Sequence, residues 1–210
     1  MKKSAFYMLL FCTTSFAMGL SINKPVVIGK GERSGGCSSV NGSITVKEDA
    51  KVTGTCRTVN GSIRIDQNCR VEKLQSVNGA VSIGKDTHID GSIETVNGHV
   101  ICNERVLVKG DINTVNGSIE LYETTIRNDI TTHNGSVRLE NNSMVLEDII
   151  IKDSHNTGNS PRIEIRIVNS TVEGDVINRD EEKQVTVRMV GKSRVNGELI
   201  NIDRVERDQN

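Results

Sequence analysis

The dipeptide Asn-Gly recurs along this chain at a nearly constant spacing. The asparagines of this regular series are Asn41, Asn60, Asn78, Asn97, Asn116 and Asn134, and the glycines that follow them are Gly42, Gly61, Gly79, Gly98, Gly117 and Gly135. The steps in sequence position from one asparagine to the next are 19, 18, 19, 19 and 18, inside near-copies such as TVNGSIRI and TVNGSIEL. Self-similarity at a fixed short period is the signature of repeat architectures, in which each unit stacks on the next. The sequence therefore predicts a repeat protein.

Apolar residues occupy fixed positions relative to each asparagine. Three places after it stand Ile44, Ile63, Val81, Val100, Ile119 and Val137, and five places after it stand Val46, Ile65, Ile83, Cys102, Leu121 and Leu139. Nine places after it are mostly small residues: Ala50, Cys69, Thr87, Val106, Thr125 and Ser143. Alternation by two within each apolar pair is typical of β-strands.

Two β architectures can place Asn-Gly between strands. In a two-residue hairpin Thr58 would face Ile63, and with a three-residue loop Arg57 would face Ile65, so either register mixes polar with apolar residues on one face. Stacking each repeat on the next instead places apolar residues over apolar residues and polar residues over polar residues. The sequence thus predicts an all-β, single-domain parallel β-helix (β-solenoid) with about eight coils, each of roughly 18–23 residues, and three short sides.

The Asn-Gly pairs are expected to form one corner of each coil. Glycine adopts positive φ without a steric penalty, and asparagine is one of the few other residues that tolerate it. Stacked asparagines can also join their side-chain amides in a ladder. The twelve residues of the six pairs are therefore candidates for a structural corner ladder.

The chain divides into four segments. Residues 1–17 resemble a signal peptide, with Lys2 and Lys3 before a short apolar run and a small-x-small end at 15–17. Residues 18–36 are expected to form an N-terminal cap, 37–152 the regular β-helix repeats, and 153–210 longer, less regular coils with a charged tail. We expect export to the periplasm, with the cell surface or the extracellular space as alternatives.

Aromatic residues are almost absent beyond the leader. The chain has no Trp, three Phe and two Tyr, and only Tyr122 lies after residue 17. Single-stranded nucleic acids are bound by stacking on aromatic side chains, and a net charge of −1 does not favour a polyanion. We therefore expect an aliphatic core, no nucleic-acid partner and no membrane span.

The cysteines and histidines are the side chains to weigh as chemical sites. Cys37 and Cys56 stand one coil apart in one column, which makes them candidates for a disulfide in an oxidising compartment, although two small core residues would fit equally. Cys69 and Cys102 fall in different columns and are expected to be core thiols. The histidines, His88, His99, His133 and His155, have no nucleophile in a recognisable setting. We predict no catalytic residue, no cofactor and no metal site.

The leader followed by TVNGSI-type repeats resembles a family of exported bacterial proteins described as adhesins of unknown function, whose repeats of about 19 residues form β-solenoids. The coil length is also similar to that of bactofilins, the polymer-forming bacterial cytoskeletal proteins, although those lack an export signal. The resemblance covers about residues 37–152 and implies a fold more than a role.

Two functions follow as expectations. The first is a non-enzymatic, exported structural or adhesive β-solenoid of the bacterial cell envelope, which self-associates end to end or binds an envelope protein or polysaccharide. The alternative is a small carbohydrate-active or carbohydrate-binding β-helix, whose groove would run over the scattered acids: Asp86, Asp90, Glu94, Asp111, Glu120 and Glu123.

Overall fold

The computed structural model describes residues 20–153 and 162–208. Within those ranges the chain is built from short strands without a helix. The predicted signal peptide lies outside the described residues. The strands are β1 Leu20–Ser21, β2 Val26–Ile28, β3 Arg33–Ser34, β4 Cys37–Ser39, β5 Ile44–Val46, β6 Lys51–Thr58, β7 Ile63–Ile65, β8 Arg70–Ser76, β9 Val81–Ile83, β10 His88–Ile89, β11 Ile93–Thr95, β12 Val100–Cys102, β13 Leu107–Val108, β14 Ile112–Thr114, β15 Ile119–Tyr122, β16 Thr125–Ile126, β17 Ile130–Thr132, β18 Val137–Glu140, β19 Met144–Val145, β20 Ile149–Ile151, β21 Ile163–Val168, β22 Thr171–Val172, β23 Val176–Asn178, β24 Val185–Val190, β25 Arg194–Val195, β26 Leu199–Ile200 and β27 Arg204–Asp208.

Every strand pairs in parallel with strands of the neighbouring coils, so the predicted parallel β-helix is confirmed. Face 1 is a ten-stranded sheet of β2, β5, β7, β9, β12, β15, β18, β21, β24 and β27. The other seventeen strands form a second sheet that covers two sides of the solenoid, because the long strands β6 and β8 each run through both. We call the side that begins with β3 face 2 and the side that begins with β1 face 3.

The solenoid has about nine turns, one more than the sequence predicts. The described part of the expected cap, from Leu20, supplies β1, β2 and β3, which pair with β4, β5 and β6 of the next coil. At the other end the charged tail forms β27, which pairs with β24. Ten strands at the usual sheet spacing make face 1 about 43 Å long.

The core consists of aliphatic side chains stacked in columns. On face 1, Ile63 is paired in register with Ile44 on one side and with Val81 on the other, and all three are fully buried. The two longer coils keep this order, since Ile163 pairs with Val185 and Val172 with Val195. The repeat therefore specifies the core, because each column admits one kind of side chain.

One assignment within a column is wrong. In the coil that follows Asn116, the small buried position is occupied by Thr124, while Thr125 is the first residue of β16 and is partly exposed. The reason is that the turn before it is one residue shorter than in the other coils, which shifts the rest of the coil.

Candidate interaction surface

The asparagine side chains form a continuous hydrogen-bonded ladder along one corner. In each coil the Nδ2 of the asparagine donates to the Oδ1 of the asparagine one coil earlier, at 2.7–2.8 Å. The ladder has a seventh member, Asn23, which accepts from Asn41. Each of the inner asparagines thus has a donor and an acceptor satisfied by its own kind, which fixes their outward direction.

The glycines of this corner are needed for space, so the expected reason for them is wrong. None of the twelve residues of the six pairs has a positive φ. Each glycine instead lies against the backbone of the coil before it: a Cβ on Gly98 would come closer than 3.0 Å to the carbonyl oxygen of Gly79. The column is therefore glycine because two backbones approach each other where a side chain would otherwise stand.

A buried hydroxyl two places before each asparagine closes the corner. The backbone N–H of Gly98 donates to Thr95 Oγ1 at 3.1 Å, and the other five coils repeat this bond at 2.8–3.2 Å. The acceptors are Ser39, Thr58, Ser76, Thr95, Thr114 and Thr132, all buried. Sequence reasoning missed this column, although the Ser or Thr before each Val-Asn-Gly was visible.

The positive φ angles occur at a different corner, eight places after most of the asparagines. This turn joins face 1 to face 2, and its residues have φ between 47° and 63°: Asp49, Asn68, Asp86, Arg105, Glu123 and Asn142. Asn and Asp tolerate this conformation better than other side chains do. Arg105 and Glu123 break the pattern, which is why the sequence did not reveal the column.

A valine column runs beside the asparagine ladder at the surface. The column consists of the valines that precede the asparagines: Val40, Val59, Val77, Val96 and Val115. Val77 is exposed and the other four are half-buried. Val77 is the most open of the set and leaves 38% of its surface in solvent. We call these five valines, together with the asparagine ladder, the Val-Asn ridge. It is an apolar strip bordered by amides, and it continues the position of Ile22, which precedes Asn23 and is 62% exposed.

Charged side chains on the faces pair across coils. On face 3, Arg57 Nε donates to Gln75 at 2.7 Å, and Gln75 donates to Glu94 at 2.6 Å. On the turn side, Arg105 pairs with Asp86 one coil earlier at 2.6 Å and lies 3.7 Å from Glu123 one coil later. In these ladders the surface charge is neutralised within the chain.

Three surface carboxyls, Asp86, Glu48 and Asp90, are held ionised by cationic neighbours. A hydrogen bond from Arg105 keeps the pKa of Asp86 below its usual range, and one from Lys30 does the same for the pKa of Glu48. The pKa of Asp90 is also lowered, chiefly by its hydrogen bond with Arg70, with burial opposing the shift. Groups in this state serve as charge partners, whereas a general acid at neutral pH needs a raised pKa.

The Asp90 ion pairs predict a pH dependence of stability. Asp90 contacts Arg70 at 2.5 Å and Lys109 at 2.7 Å. Because folding lowers its pKa, its contribution is present above the unfolded carboxyl value and is lost as the pH falls through the folded value. Asp90→Asn should lower the free energy of unfolding at pH 7 by at most about 1 kcal/mol and flatten its loss below about pH 4. Urea unfolding across pH measures this, with Glu147→Gln as the control, and equal slopes for wild type and Asp90→Asn would contradict it.

An open groove crosses several coils where face 1 meets the turns. Its walls carry charged and amide side chains from successive coils: Glu48, Arg64, Asp66, Gln67, Lys85, Asn103 and Glu104. Asp66 is already paired with Arg64 at 3.2 Å and with Lys47 at 3.4 Å, and Glu48 accepts from Gln67 at 3.1 Å. None of the six acids suggested by the sequence is among the described residues that line this groove, and one of them, Glu94, lies on face 3.

The cysteines are buried in the core. Cys37 and Cys56 are paired in register between β4 and β6, and their Sγ atoms lie 2.6 Å apart as two thiols. Burial raises the pKa of Cys102 to about 12, and it also raises the pKa of Cys69. Neither Cys69 nor Cys102 is placed to act as a nucleophile, because the reactive form of cysteine is the thiolate.

The described histidines, His88, His99 and His133, stand in different coils. His99 Nδ1 lies 2.8 Å from Ser118 Oγ, on the outside of the corner. His133 takes the valine position before Asn134, and burial lowers its pKa. Among residues 20–153 and 162–208, no group of three or more His, Cys, Asp or Glu side chains is arranged to hold a metal ion. His155 lies outside the described residues.

The described ranges contain no helix long and apolar enough to cross a membrane. The surface features described above are the Val-Asn ridge, the paired charges of the faces and the open groove. Comparisons of this chain with protein-family models, with curated proteins and with solved structures found no significant match.

Proposed function

We propose that this chain is a non-enzymatic structural or adhesive element of the bacterial cell envelope, exported by the leader at residues 1–17. The observation that carries the proposal is the Val-Asn ridge, a partly exposed valine column held in line by the asparagine ladder. Exposed apolar strips with a polar rim are typical of interaction sites. A partner that lies along the ridge would bury the valines and bond to the outer asparagine amides.

The charge ladders support a structural role. Because Arg57, Gln75 and Glu94 bond to one another across three coils, this part of the surface resists local opening. Contacts between neighbouring coils dominate the stability of a solenoid, so cross-coil side-chain bonds stiffen it along its length. A stiff rod about 43 Å long suits a spacer or an adhesive arm.

Export and ridge binding are tested together. We expect the full chain to be recovered from the periplasm or the cell surface, and a variant with Lys2 and Lys3 both changed to Glu to remain inside. Purified chain should co-sediment with isolated envelopes. A ridge variant, Val59→Lys with Val77→Lys, should lose affinity by a factor of about ten or more, since a hot-spot side chain contributes about 1.4 kcal/mol or more to binding.

The matched control places the same charges on face 1 outside the groove, as Thr45→Lys with Ile101→Lys. Both positions lie at the centres of strands and point outward. Equal binding by the ridge and control variants would remove the ridge from the proposal. Recovery of the wild-type chain in the cytoplasm alone would overturn the envelope role.

Carbohydrate binding is the second candidate function, and the groove at Arg64 and Gln67 favours it. Charged and amide side chains in a shallow cleft are suited to sugar hydroxyls, although the aromatic faces that sugars commonly stack on are missing here. Titration with soluble fragments of envelope polysaccharide tests it. We expect Gln67→Ala with Asn103→Ala to abolish such binding and the outward Arg127→Ala to leave it unchanged, while an absence of wild-type binding would exclude this candidate.

A further inference from the structure

The Asn-Gly pairs raise a question of chemical stability that the corner geometry answers. In a flexible chain, asparagine followed by glycine is prone to deamidation, because no Cβ hinders the glycine nitrogen from reaching the asparagine side chain. Asparagine is for this reason among the thermolabile residues. This chain carries six such pairs between Asn41 and Gly135, and the asparagine of five of them is exposed to water.

The reaction has defined requirements. The backbone nitrogen of the glycine gives its proton to a base and bonds to Cγ of the asparagine, and the Cγ–Nδ2 bond breaks with release of ammonia. Water then adds to one of the two carbonyl carbons of the cyclic imide, which leaves aspartate or isoaspartate. The glycine nitrogen must therefore be free, and both the asparagine side chain and the backbone must be able to turn toward each other.

The folded corner blocks each requirement. At Asn97, the N–H of Gly98 is held by Thr95 Oγ1 at 3.1 Å. The side chain of Asn97 donates to Asn78 at 2.8 Å and accepts from Asn116 at 2.7 Å, so its swing toward the glycine would break two bonds. Gly98 is also buried against the backbone of Gly79, which leaves no room for the rotation that closes the ring.

We infer that the six Asn-Gly corners are latent deamidation sites that the stacked Ser/Thr-x-Asn-Gly geometry holds unreactive. Modification then follows local opening of a coil. An aspartate in the ladder cannot donate to the oxygen of the asparagine before it, and an isoaspartate adds a backbone atom beside the glycine contact. A deamidated coil therefore cannot re-form the native corner, so each opening that leads to deamidation is irreversible.

The test follows deamidation at each pair by peptide mass spectrometry. Wild-type chain is incubated at mildly alkaline pH, either folded or in concentrated urea. We expect deamidation in the folded chain to be slower than in urea by a factor of about ten or more, because only the open fraction of the folded chain reacts. This expectation applies to the pairs at Asn60, Asn78, Asn97 and Asn116. Equal rates in the two states would overturn the inference.

Hydroxyl variants separate the glycine bond from general burial. Thr95→Val removes the acceptor of the Gly98 N–H and should accelerate deamidation at Asn97 above that at Asn60 in the same molecule. Thr95→Ser keeps the hydroxyl, as Ser39 and Ser76 do in their coils, and should retain protection. Thr87→Val removes an equally buried hydroxyl at another corner and should leave all six rates unchanged.

A variant that does not fold is recognised by its circular dichroism, and the wild-type comparison in urea then decides the matter. If Thr95→Val folds and Asn97 reacts no faster than in wild type, the bond to the glycine nitrogen is not the protecting element.

Discussion

Gly98→Ala should lower the free energy of unfolding by about 3 kcal/mol, a large effect for one methyl group, because Gly98 is buried between two coils. The added Cβ would lie closer than 3.0 Å to the carbonyl oxygen of Gly79, which belongs to the backbone of the preceding coil. Relief requires the two coils to separate, and this would also disturb the bond from Gly98 to Thr95 and the ladder at Asn97.

Gly35→Ala is the matched control for this substitution. A Cβ on Gly35 meets no atom within 4 Å, so we expect a change within about 0.5 kcal/mol. Urea unfolding followed by circular dichroism measures both variants. Equal midpoints for the two would show that the close stacking of the corner glycines does not exist in solution.

Oxidation of Cys37 and Cys56 to a disulfide should raise the free energy of unfolding by about 3 kcal/mol, because the bridge closes a loop that spans one whole coil. The two thiols give up two protons and two electrons to a disulfide oxidant of the kind present in an oxidising compartment. Their paired positions on β4 and β6 allow the bond without a change of register.

The disulfide is tested by unfolding with and without a reductant. We expect the reductant to lower the unfolding midpoint of the wild type, to have no effect on Cys56→Ala, and to retain its effect in Cys69→Ala. Titration of all four thiols Cys37, Cys56, Cys69 and Cys102 in unreduced, denatured protein would contradict the bridge.

The fold could be predicted because in-register stacking makes every column report the same environment. Ile63, Val81 and Val100 are buried at one position of three successive coils, and their common spacing from Asn-Gly is visible in the sequence. A hairpin would have mixed polar and apolar residues on one face, so the choice between the two architectures did not require coordinates.

The first coil was not predicted as a coil because one residue of its motif differs. Ser21, Asn23 and Lys24 correspond to Ser39, Asn41 and Gly42, and the N–H of Lys24 donates to Ser21 Oγ at 3.0 Å. Lysine is tolerated here because β1, β2 and β3 pair only toward the second coil, so no described backbone lies where its Cβ stands. The separation of Asn23 from Asn41, which equals the shorter of the two repeat steps, was the available signal.

The reason for the corner glycines could not be read from composition. Glycine is compatible both with positive φ and with close backbone contact. The φ angles and the distances between neighbouring coils decide between these two explanations. The turn that does use positive φ includes Arg105 and Glu123, which a rule based on residue type would exclude. The ridge likewise depends on the exposure of Val77 and its neighbours, which the alternating pattern alone does not indicate.

The measurement that tests the central claim most directly is a binding and turnover experiment on purified envelope polysaccharide and envelope vesicles with the chain from Met18 onward. Bound protein is measured in the pellet, and soluble sugar fragments are measured in the supernatant of the same sample. We expect the wild-type chain to pellet with the envelope material and to liberate no fragments. The ridge variant, Val59→Lys with Val77→Lys, should remain in the supernatant. Liberation of fragments by the wild-type chain, abolished by substitution of groove carboxylates such as Glu48 and Asp66, would contradict the structural or adhesive role and establish an enzyme.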